Sequence, residues 1–305
     1  MQRPRTITVF DTTLRDGEQS VGVAFTPGQK IEIALELERL GVDVVEAGFP
    51  VASPGEAEGV RAVAEAVRRP VVAAMARAHE VDVEAAAAAL SPARRSRLHV
   101  VLGTSPIHRE LKLGLTRDEV VERAASVVQL ARPLFDEVEF CCEDASRTEP
   151  EFLAEVCAAA VEAGADVLNL PDTVGYAVPD EYANLFAGLA TAAVPLSAHC
   201  HDDLGLAVAN TLAAVDAGAG QAECTVNGLG ERAGNAALEE VVTVLAQQGY
   251  RTSVDLEGLP ALSQLVSRVS GYPVAAHKAV VGRQVRKDSA VHDAARAVRT
   301  EDDAD

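Results

Sequence analysis

The chain alternates between short apolar runs and longer amphipathic stretches. Apolar runs rich in valine, isoleucine and leucine predict β-strands at about 6–11, 42–48, 70–76, 98–103, 135–141, 165–170, 194–199 and 221–226. Between these runs, apolar residues at helical spacing predict α-helices, for example over 28–40, 116–131 and 149–163. The pattern therefore predicts a repeated unit of one strand followed by one helix.

Glycines punctuate this repeat. Gly41, Gly164 and Gly218 each stand at the end of a predicted helix and just before the next strand. A glycine in this position ends a helix at low steric cost. Eight strand–helix units within about 250 residues match the size of a (β/α)8 TIM barrel. A doubly wound open sheet is the alternative, but no Gly-x-Gly-x-x-Gly follows the first predicted strand.

We therefore predict an α/β fold with a catalytic (β/α)8 barrel over residues 1–255. Residues 256–305 are predicted to form a short helical extension, with an amphipathic helix at about 256–271. The chain ends in a charged segment, Thr300-Glu-Asp-Asp-Ala-Asp305, whose composition predicts disorder.

Composition narrows the function classes. The formal net charge of −19 disfavours nucleic acid or an anionic membrane as the main partner. No apolar run approaches the ~20 residues that span a bilayer, and the N-terminus lacks a signal-peptide pattern. The five cysteines form no Cys-x-x-Cys pair, which favours a reduced, cytoplasmic protein.

Polar clusters follow several of the predicted strands. They occupy residues 11–19, 141–144, 171–173, 199–203 and 227–235. Each cluster taken alone could be a turn or a helix cap. In a TIM barrel, however, the segments that follow the strands meet on one face, where the active site lies. Their joint placement therefore predicts an active site.

A His-x-His pair ends the seventh predicted strand. His199 and His201 are two residues apart, so in a strand their side chains point to the same face. Two imidazoles make half of a divalent-metal site; Asp16 could add a carboxylate and Asn235 an amide oxygen. The open positions would take water and a chelating substrate such as a 2-oxo acid. Metal and Arg15 would then polarise the ketone, which predicts carbon–carbon bond chemistry at a carbonyl.

Three longer motifs carry a resemblance to a known family. They are Asp11-Thr-Thr-Leu-Arg-Asp-Gly-Glu-Gln19, His199-Cys-His-Asp-Asp-Leu-Gly205 and Asn227-Gly-Leu-Gly-Glu-Arg-Ala-Gly-Asn235. The chain resembles the 2-isopropylmalate synthase/homocitrate synthase family of metal-dependent, Claisen-condensing TIM-barrel enzymes. Further matching segments extend the resemblance from residue 7 to about residue 282: 46–50, 104–108, 142–147, 171–176 and 278–282.

The resemblance implies an acyltransferase that condenses acetyl-CoA with a 2-oxo acid. In such enzymes the methyl carbon of acetyl-CoA is deprotonated and attacks the ketone, and hydrolysis of the thioester releases CoA and a 2-substituted malate. The implied cofactor is a divalent ion (Mg, Mn or Zn), and acetyl-CoA is the co-substrate. A homodimer is also implied.

The resemblance also implies roles for matching residues. The implied metal ligands are Asp16, His199, His201 and, more distantly, Asn235. The implied substrate-binding and catalytic residues are Arg15 at the ketone and carboxylate, Thr173 at the carboxylate, Gln19 lining the cavity and Glu143 in proton transfer. Glu231 and Arg232 either bind or order the loop near acetyl-CoA, or form a structural salt bridge.

The identity of the 2-oxo acid stays open at this point. Segments 48–54 and 169–176 resemble isopropylmalate synthases, whereas 16–25 and 142–147 resemble bacterial homocitrate synthases. A substrate with a second carboxylate needs an extra cation, for which the candidates are Arg77, His108, Arg109 and Lys112. Exposed loop charge explains those four equally well. We favour a small apolar 2-oxo acid.

The resemblance fails near the C-terminus. Family members continue into a helical subdomain that supplies a histidine, and some carry a leucine-sensing domain. Here the matching stretch is 283–292, in which His292 is the candidate for that histidine. Feedback inhibition through a leucine-sensing domain is not expected.

Three hypotheses follow from this departure. The chain is a compact acyltransferase that uses Glu143, a metal-bound water or His292 as base. Alternatively, it is a cleavage enzyme of the hydroxymethylglutaryl-CoA lyase type, although the loop at 228–234 lacks the lyases' cysteine. As a third possibility, it is a half-enzyme that needs a separate chain to supply the subdomain.

Overall fold

A closed barrel of parallel strands forms the centre of the protein. The computed structural model describes residues 5–190 and 192–285, and the strands pair in the order in which they occur along the chain. The strands are β1 (Thr8–Asp11), β2 (Val44–Glu46), β3 (Val71–Arg77), β4 (Ser96–Gly103), β5 (Glu137–Glu143), β6 (Val167–Asn169), β7 (Leu196–His199) and β8 (Gln221–Cys224). The TIM-barrel prediction is confirmed.

Helices alternate with these strands and cover the barrel. They are α1 (Pro27–Leu40), α2 (Pro54–Ala66), α3 (Glu80–Leu90), α4 (Arg117–Ala131), α5 (Pro150–Glu162), α6 (Pro179–Gly188), α7 (Ala207–Ala217), α8 (Leu238–Gln247) and α9 (Leu259–Ser270). Capping boxes at Thr26 and Thr116 begin α1 and α4, because each threonine accepts a backbone N–H three residues further on.

The turn after α1 shows why a glycine ends this helix. Gly41 adopts a left-handed conformation with φ of 89°. A Cβ at this position would lie 2.3 Å from the carbonyl oxygen of Ser253, so any larger residue would both strain and collide with the backbone. The chain can therefore reverse directly from α1 into β2.

The barrel interior is ionic, whereas the layer between barrel and helices is apolar. Inside the barrel, buried Arg97 donates to Glu139 at 2.9 Å, and Gln221 donates to the same carboxylate at 3.0 Å. Burial and the nearby Glu223 raise the pKa of Glu139 to about 7. These buried polar side chains fill the barrel interior beneath the carboxyl ends of the strands.

The segment after β8 packs onto the barrel. Leu262 and Val266 of α9 are buried, and the side-chain amide of Asn227 donates to the carbonyl oxygen of Ser263 at 3.0 Å. The predicted division at residue 255 is not tested by this packing and stays a prediction. His292 lies outside the described residues. Within the described ranges, every helix is too short or too polar to cross a bilayer.

Asp11 belongs to the first motif but faces away from the predicted metal ligands. The neighbouring Phe10 ring makes an edge-to-face contact with His99 inside the barrel, so alternation along β1 turns Asp11 toward the helices. There it accepts hydrogen bonds from the backbone and hydroxyl of Thr13 at 3.0 and 2.9 Å. Burial raises the pKa of Asp11 from 3.8 to about 7. Because the pKa of Asp11 differs between the folded and the unfolded chain, the stability of the protein depends on pH.

We expect Asp11→Asn to stabilise the protein at pH 8 and to lose that advantage toward pH 4. Between about pH 4 and 7 the folded protein holds a proton on Asp11 that the unfolded chain has released, so wild-type stability falls as pH rises through this window. Asparagine remains neutral throughout. Urea unfolding measures the free energy of unfolding of the variant and of wild type at both pH values. The variant's value minus the wild-type value should be larger at pH 8 than at pH 5 by about 1 kcal/mol or more. For the exposed control Asp180→Asn, the difference in unfolding free energy from wild type should be the same at both pH values. The same result for Asp11→Asn would contradict this assignment.

Candidate active site

Asp16, His199 and His201 converge at the carboxyl end of the barrel. His199 is the last residue of β7, and His201 forms a β-bridge with Asn235 two residues later. Asp16 lies in the turn after β1, with its Oδ2 atom 3.5 Å from His199 Nε2 and 3.8 Å from His201 Nε2. All three side chains are buried. The three ligands predicted from the motifs are thus brought together.

The protonation of this cluster is set by its own charges. Burial alone would raise the pKa of Asp16, but Arg15 and the two histidines outweigh it and hold that pKa well below its usual range. Burial lowers the pKa of His201 to about 4, which leaves a neutral imidazole at pH 7. Burial would also lower the pKa of His199, but Asp16 and Glu223 raise it to about 9.

Glu223 supports His199 from inside the barrel. Its Oε2 atom lies 2.9 Å from His199 Nδ1, and it also accepts hydrogen bonds from Ser197 at 2.7 Å and from Asn169. A carboxylate on the far ring nitrogen orients a histidine toward a metal and fixes its tautomer. Glu223 was not predicted from the sequence. The available signal was a glutamate on a short strand that is buried throughout.

Asn235 lies behind Asp16. Its amide nitrogen donates to Asp16 Oδ1 at 2.8 Å and to the carbonyl oxygen of Leu229 at 3.1 Å. A Cβ on Gly230 would lie 2.0 Å from that amide nitrogen, so the loop can approach the site only with glycine there. In this orientation Asn235 positions Asp16, and metal ligation by its oxygen stays a prediction.

The donor set fits a divalent cation. Asp16, His199 and His201 each offer a ligand atom, and these atoms lie within 4.8 Å of one another. The Oδ1 atom of Asn235 and the Nδ1 atom of His201 are buried without a hydrogen-bond partner in the described structure. One carboxylate with two imidazoles leaves open coordination positions for water or substrate.

Arg15 stands beside this cluster between two carboxylates. Its Nε atom donates to Glu46 at 2.7 Å and its Nη1 atom to Asp16 at 2.8 Å. Glu46 is held in turn by Thr12 at 2.5 Å and by His99 at 2.7 Å. Burial would raise the pKa of Glu46, but Arg15 and His99 lower it to about 2. The role of Glu46 was also missed, although its segment was recognised as a motif.

A cavity of about 290 Å³ opens onto these groups. Its lining includes the predicted residues Arg15, Asp16, Gln19, Glu143, Thr173, His199 and His201. Three less polar residues, Met75, Val101 and Cys141, line the same space. Asn235 instead lines a neighbouring cavity on the other side of Asp16. One cavity therefore unites residues from the ends of all eight strands or the loops that follow them.

Glu143 lies at the end of β5 and faces the cavity. Lys112 contacts its two carboxylate oxygens at 2.7 and 2.9 Å, and His108 Nε2 lies 3.6 Å from Oε1. Neither contact was predicted from the sequence. Lys112 belongs to a π-helical turn at Ile107–Leu113, a conformation common at functional sites.

Asp144 connects this group to Thr173. It adopts a left-handed conformation with φ of 66°, and its backbone N–H donates to Thr173 Oγ1 at 2.9 Å. Its carboxylate lies 3.0 Å from His108 Nδ1 and 2.7 Å from Arg147 Nη2. Burial would raise the pKa of Asp144, but His108 and Arg147 lower it to about 2. The Thr173 hydroxyl hydrogen is left free to donate to a ligand.

The four candidates for a second substrate carboxylate separate into two groups. Arg77 and Lys112 line the cavity. Arg109 is buried on Glu149 at 2.7 Å, and His108 is held by Asp144, so neither of these two faces the cavity. Arg109, held on Glu149, is not among the residues that line this cavity.

Arg232 joins three of the loops above the barrel. It contacts Asp203 at 2.9 Å, the carbonyl oxygen of Thr173 at 2.7 Å and Glu231 at 3.2 Å. Of the two roles considered for Glu231 and Arg232, the salt bridge is present. It ties the loop after β8 to those after β6 and β7.

Comparisons with known proteins agree with this geometry. A protein named 2-isopropylmalate synthase from Neisseria meningitidis serogroup B is 48% identical to this chain over an alignment that covers 96% of it. A protein of the same name from Brevibacillus brevis is 51% identical over 94% of the chain. The chain spans 58% of the length of each of these relatives. The resemblance found in the motifs is confirmed.

Solved structures show the same fold. A hydroxymethylglutaryl-CoA lyase from Pseudomonas aeruginosa has a TM-score of 0.77 at 23% identity and covers 91% of this chain and 97% of its own. The Bacillus subtilis HMG-CoA lyase has a TM-score of 0.76 at 24% identity, covering 91% and 98%. A family model described as HMGL-like matches residues 6–266. The chain therefore belongs to the HMGL-like family.

Proposed function

We propose that this chain condenses acetyl-CoA with a small 2-oxo acid, releasing CoA and a 2-substituted malate. The observation that carries the proposal is Arg15 beside Asp16, His199 and His201 at one end of the barrel, in a chain about half identical to proteins named 2-isopropylmalate synthase. The residues at this site supply the functions that such a condensation needs.

The proposed metal ligands are Asp16, His199 and His201, with Asn235 behind them. When bound, a divalent ion supplies a Lewis acid that polarises the ketone of the 2-oxo acid. Glu223 keeps the ring of His199 turned toward Asp16, and Asn235 holds the second oxygen of Asp16. Mg, Mn and Zn are all compatible with this mixed nitrogen and oxygen donor set.

Arg15 and Thr173 are proposed to bind the 2-oxo acid. Arg15 is fixed on Glu46 and Asp16, so its guanidinium is already oriented before substrate arrives. It can stabilise the negative charge that develops on the ketone oxygen when carbon attacks. Thr173, whose oxygen accepts from Asp144 N–H, can donate its hydroxyl to the substrate carboxylate.

Glu143 is proposed to act in proton transfer from the methyl group of acetyl-CoA. It is the carboxylate at the end of β5 that faces the cavity without touching Asp16 or either of the two ligand histidines. Lys112 Nζ lies 2.7 Å from Oε1 of Glu143 and so orients the carboxylate, and His108 Nε2 lies 3.6 Å from the same oxygen. In the carbon–carbon step, Glu143 takes a proton from the methyl carbon, the C–H electron pair forms the bond to the ketone carbon, and the carbonyl π pair moves to the ketone oxygen, which takes up a proton. Water then cleaves the thioester, giving the new carboxylate and the free thiol of CoA.

We propose a small apolar side chain on the 2-oxo acid. Met75, Val101 and Cys141 line the cavity and are half-buried or buried, whereas the side chains of Arg77 and Lys112 are 59% and 54% exposed. A dicarboxylic 2-oxo acid, as in the homocitrate alternative, would need a cation deeper in the cavity than the one already used by the first carboxylate.

An assay for release of free thiol from acetyl-CoA tests the proposal. Purified protein, loaded in turn with Mg, Mn or Zn, is given a panel of 2-oxo acids with apolar or carboxylate side chains. We expect turnover with a small branched or linear apolar acid. Absence of thiol release with every acid and every metal, both alone and with cell extract added, would overturn the proposal. Activity only with the extract would favour a separate chain that completes the enzyme, and size-exclusion chromatography would test the proposed homodimer.

Thr173→Val should weaken binding of the 2-oxo acid by about tenfold or more, because valine keeps the shape and removes the hydrogen bond to the charged carboxylate. Valine also removes the acceptor of the Asp144 N–H, which serine would keep. Calorimetric titration of the metal-loaded protein with the preferred 2-oxo acid measures this change. Thr173→Ser, which keeps the hydroxyl, should bind as wild type does. Equal binding by the valine variant would remove Thr173 from the substrate site.

A further inference from the structure

We propose that the barrel interior binds a second divalent cation through His99, Glu139 and Glu223, with the amide oxygen of Asn169 as a fourth ligand. We call these four residues the interior site. His99, Glu139 and Glu223 each offer a ligand atom, and these atoms lie within 4.8 Å of one another. All four side chains are buried. The interior site is separate from the ligands around Asp16 and does not depend on the proposed reaction.

Four strands position the interior site. His99 on β4 and Glu139 on β5 are paired residues of neighbouring strands, and each lies four residues before its strand ends. Asn169 is the last residue of β6, and Glu223 lies on β8. The amide of Asn169 contacts both His99 and Glu223. The four side chains are therefore brought together by strands rather than by loops, which fixes their positions before an ion binds.

His99 is supported in the way expected of a metal ligand. Its Nδ1 atom lies 2.7 Å from Oε1 of Glu46. A carboxylate on one ring nitrogen directs the other toward a metal, and Glu223 supports His199 in the same manner. Nε2 of His99 thus faces the interior, 3.3 Å from Asn169 Nδ2. Burial would lower the pKa of His99, but Glu46 raises it, so a cation displaces a proton from this imidazole when it binds.

Asn169 carries a buried oxygen that needs a partner. Its Oδ1 atom accepts no hydrogen bond from any residue in the described ranges, whereas its Nδ2 atom contacts His99 and Glu223. Half a turn about the terminal side-chain torsion exchanges the two atoms, because the amide group has nearly the same shape in both orientations. The oxygen then faces Nε2 of His99 and the carboxylate of Glu223. A cation between these groups would satisfy all three.

Two carboxyl groups meet at the same place. Glu139 and Glu223 are 0% and 1% exposed, and burial together with Glu223 raises the pKa of Glu139 to about 7. Buried carboxylates this close together cannot both ionise unless a proton or a cation compensates their charge. Arg97 contacts Glu139 at 2.9 Å, but it is shared with Glu137, to which its Nε atom donates at 2.8 Å. A divalent ion supplies the positive charge that one shared arginine does not.

The donor set defines the kind of ion and its route. One imidazole nitrogen with three oxygens suits Mn²⁺ or Zn²⁺. His99 and Asn169 line the cavity that opens onto Asp16, so an ion can enter from there. Its binding should be weaker than at Asp16, because the two carboxylates already accept hydrogen bonds from Gln221 at 3.0 Å and Ser197 at 2.7 Å. We therefore expect the interior ion to be lost on dialysis against metal-free buffer.

Equilibrium dialysis of the full chain against excess Mn²⁺, followed by atomic emission, tests the interior site without requiring turnover. We expect two bound equivalents for wild type and one for His99→Gln, whose amide can still donate to Glu46. The matched control His79→Gln replaces an exposed histidine of the same cavity and should keep two. Asn169→Asp supplies a charged oxygen and should bind the second ion at least about tenfold more tightly. Asn169→Leu should lose it.

Anomalous diffraction from a wild-type crystal soaked in Mn²⁺ locates the ions directly, so the test does not depend on whether a variant folds. We expect one peak between His99, Glu139 and Glu223 and another at Asp16. A peak at Asp16 alone would overturn the interior site and leave the proposed function in place. Equal Mn²⁺ content in wild type and His99→Gln, or binding by Asn169→Asp no tighter than by Asn169→Leu, would overturn it as well. A peak only in the interior would support the second cation and reject the ligands proposed around Asp16.

Discussion

Replacing His201 by alanine is expected to remove the bound divalent metal and all 2-oxo-acid-dependent release of CoA. Three buried donors form the proposed site, and loss of one leaves too few to hold a catalytic ion. The fold should survive, because His201 Nδ1 has no hydrogen-bond partner among the described residues that its removal could strand. His201 is also the histidine whose pKa, lowered to about 4, leaves it ready to bind metal at pH 7.

Metal content after dialysis, measured by atomic emission, decides this prediction together with circular dichroism of the variant. His277→Ala is the matched control, because His277 is exposed and lies outside the cavity. Its metal content and activity should equal those of wild type. If His201→Ala retained a full equivalent of metal, the proposed ligand set would be wrong even if activity were lost.

The barrel could be predicted because each of its units is encoded locally. The eight apolar runs coincide with the observed strands to within a few residues, and the predicted helices at 28–40, 116–131 and 149–163 match α1, α4 and α5 closely. Gly41 marks the first helix end, where φ of 89° and a close carbonyl leave room only for glycine. The spacing of apolar residues and the position of a helix-ending glycine depend only on residues close together in the chain. Both can therefore be recognised in a single sequence.

The residues that orient the site could not be predicted in the same way. Glu223 and Glu46 act on His199 and Arg15 from the adjacent strands of the barrel, which are 24 and 31 residues away along the chain. On the sequence each is a single acidic residue in a buried run. Only the closed barrel and its register show that both point inward, toward the same end. The contact between Lys112 and Glu143 likewise depends on a π-helical turn that no sequence period indicates.

Replacing Arg15 by alanine is expected to cause the second-largest loss of condensation activity, after loss of the metal site. Arg15→Ala should leave bound metal in place but reduce the rate of condensation at least about 100-fold, corresponding to a loss of ~3 kcal/mol of transition-state stabilisation. Arg15 does not ligate the metal in the proposed site, and Asp16 keeps its contact with Asn235 when Arg15 is gone. The lost interaction is with the ketone oxygen, where charge develops only as carbon attacks.

Steady-state kinetics separate this role from simple substrate binding. Loss of a contact made equally in ground and transition states would raise KM and leave kcat unchanged, whereas the proposed role lowers kcat. Arg15→Lys keeps the charge but cannot span Glu46 and Asp16 through two nitrogens, so it should recover only part of the rate. Thermal unfolding of the same variants is the control, because removal of Arg15 leaves the buried Glu46 with Thr12 and His99 as its partners. A folded, metal-loaded Arg15→Ala protein with wild-type kcat would show that another group stabilises the charge on the ketone oxygen. Arg15 would then serve only to bridge the carboxylates of Glu46 and Asp16.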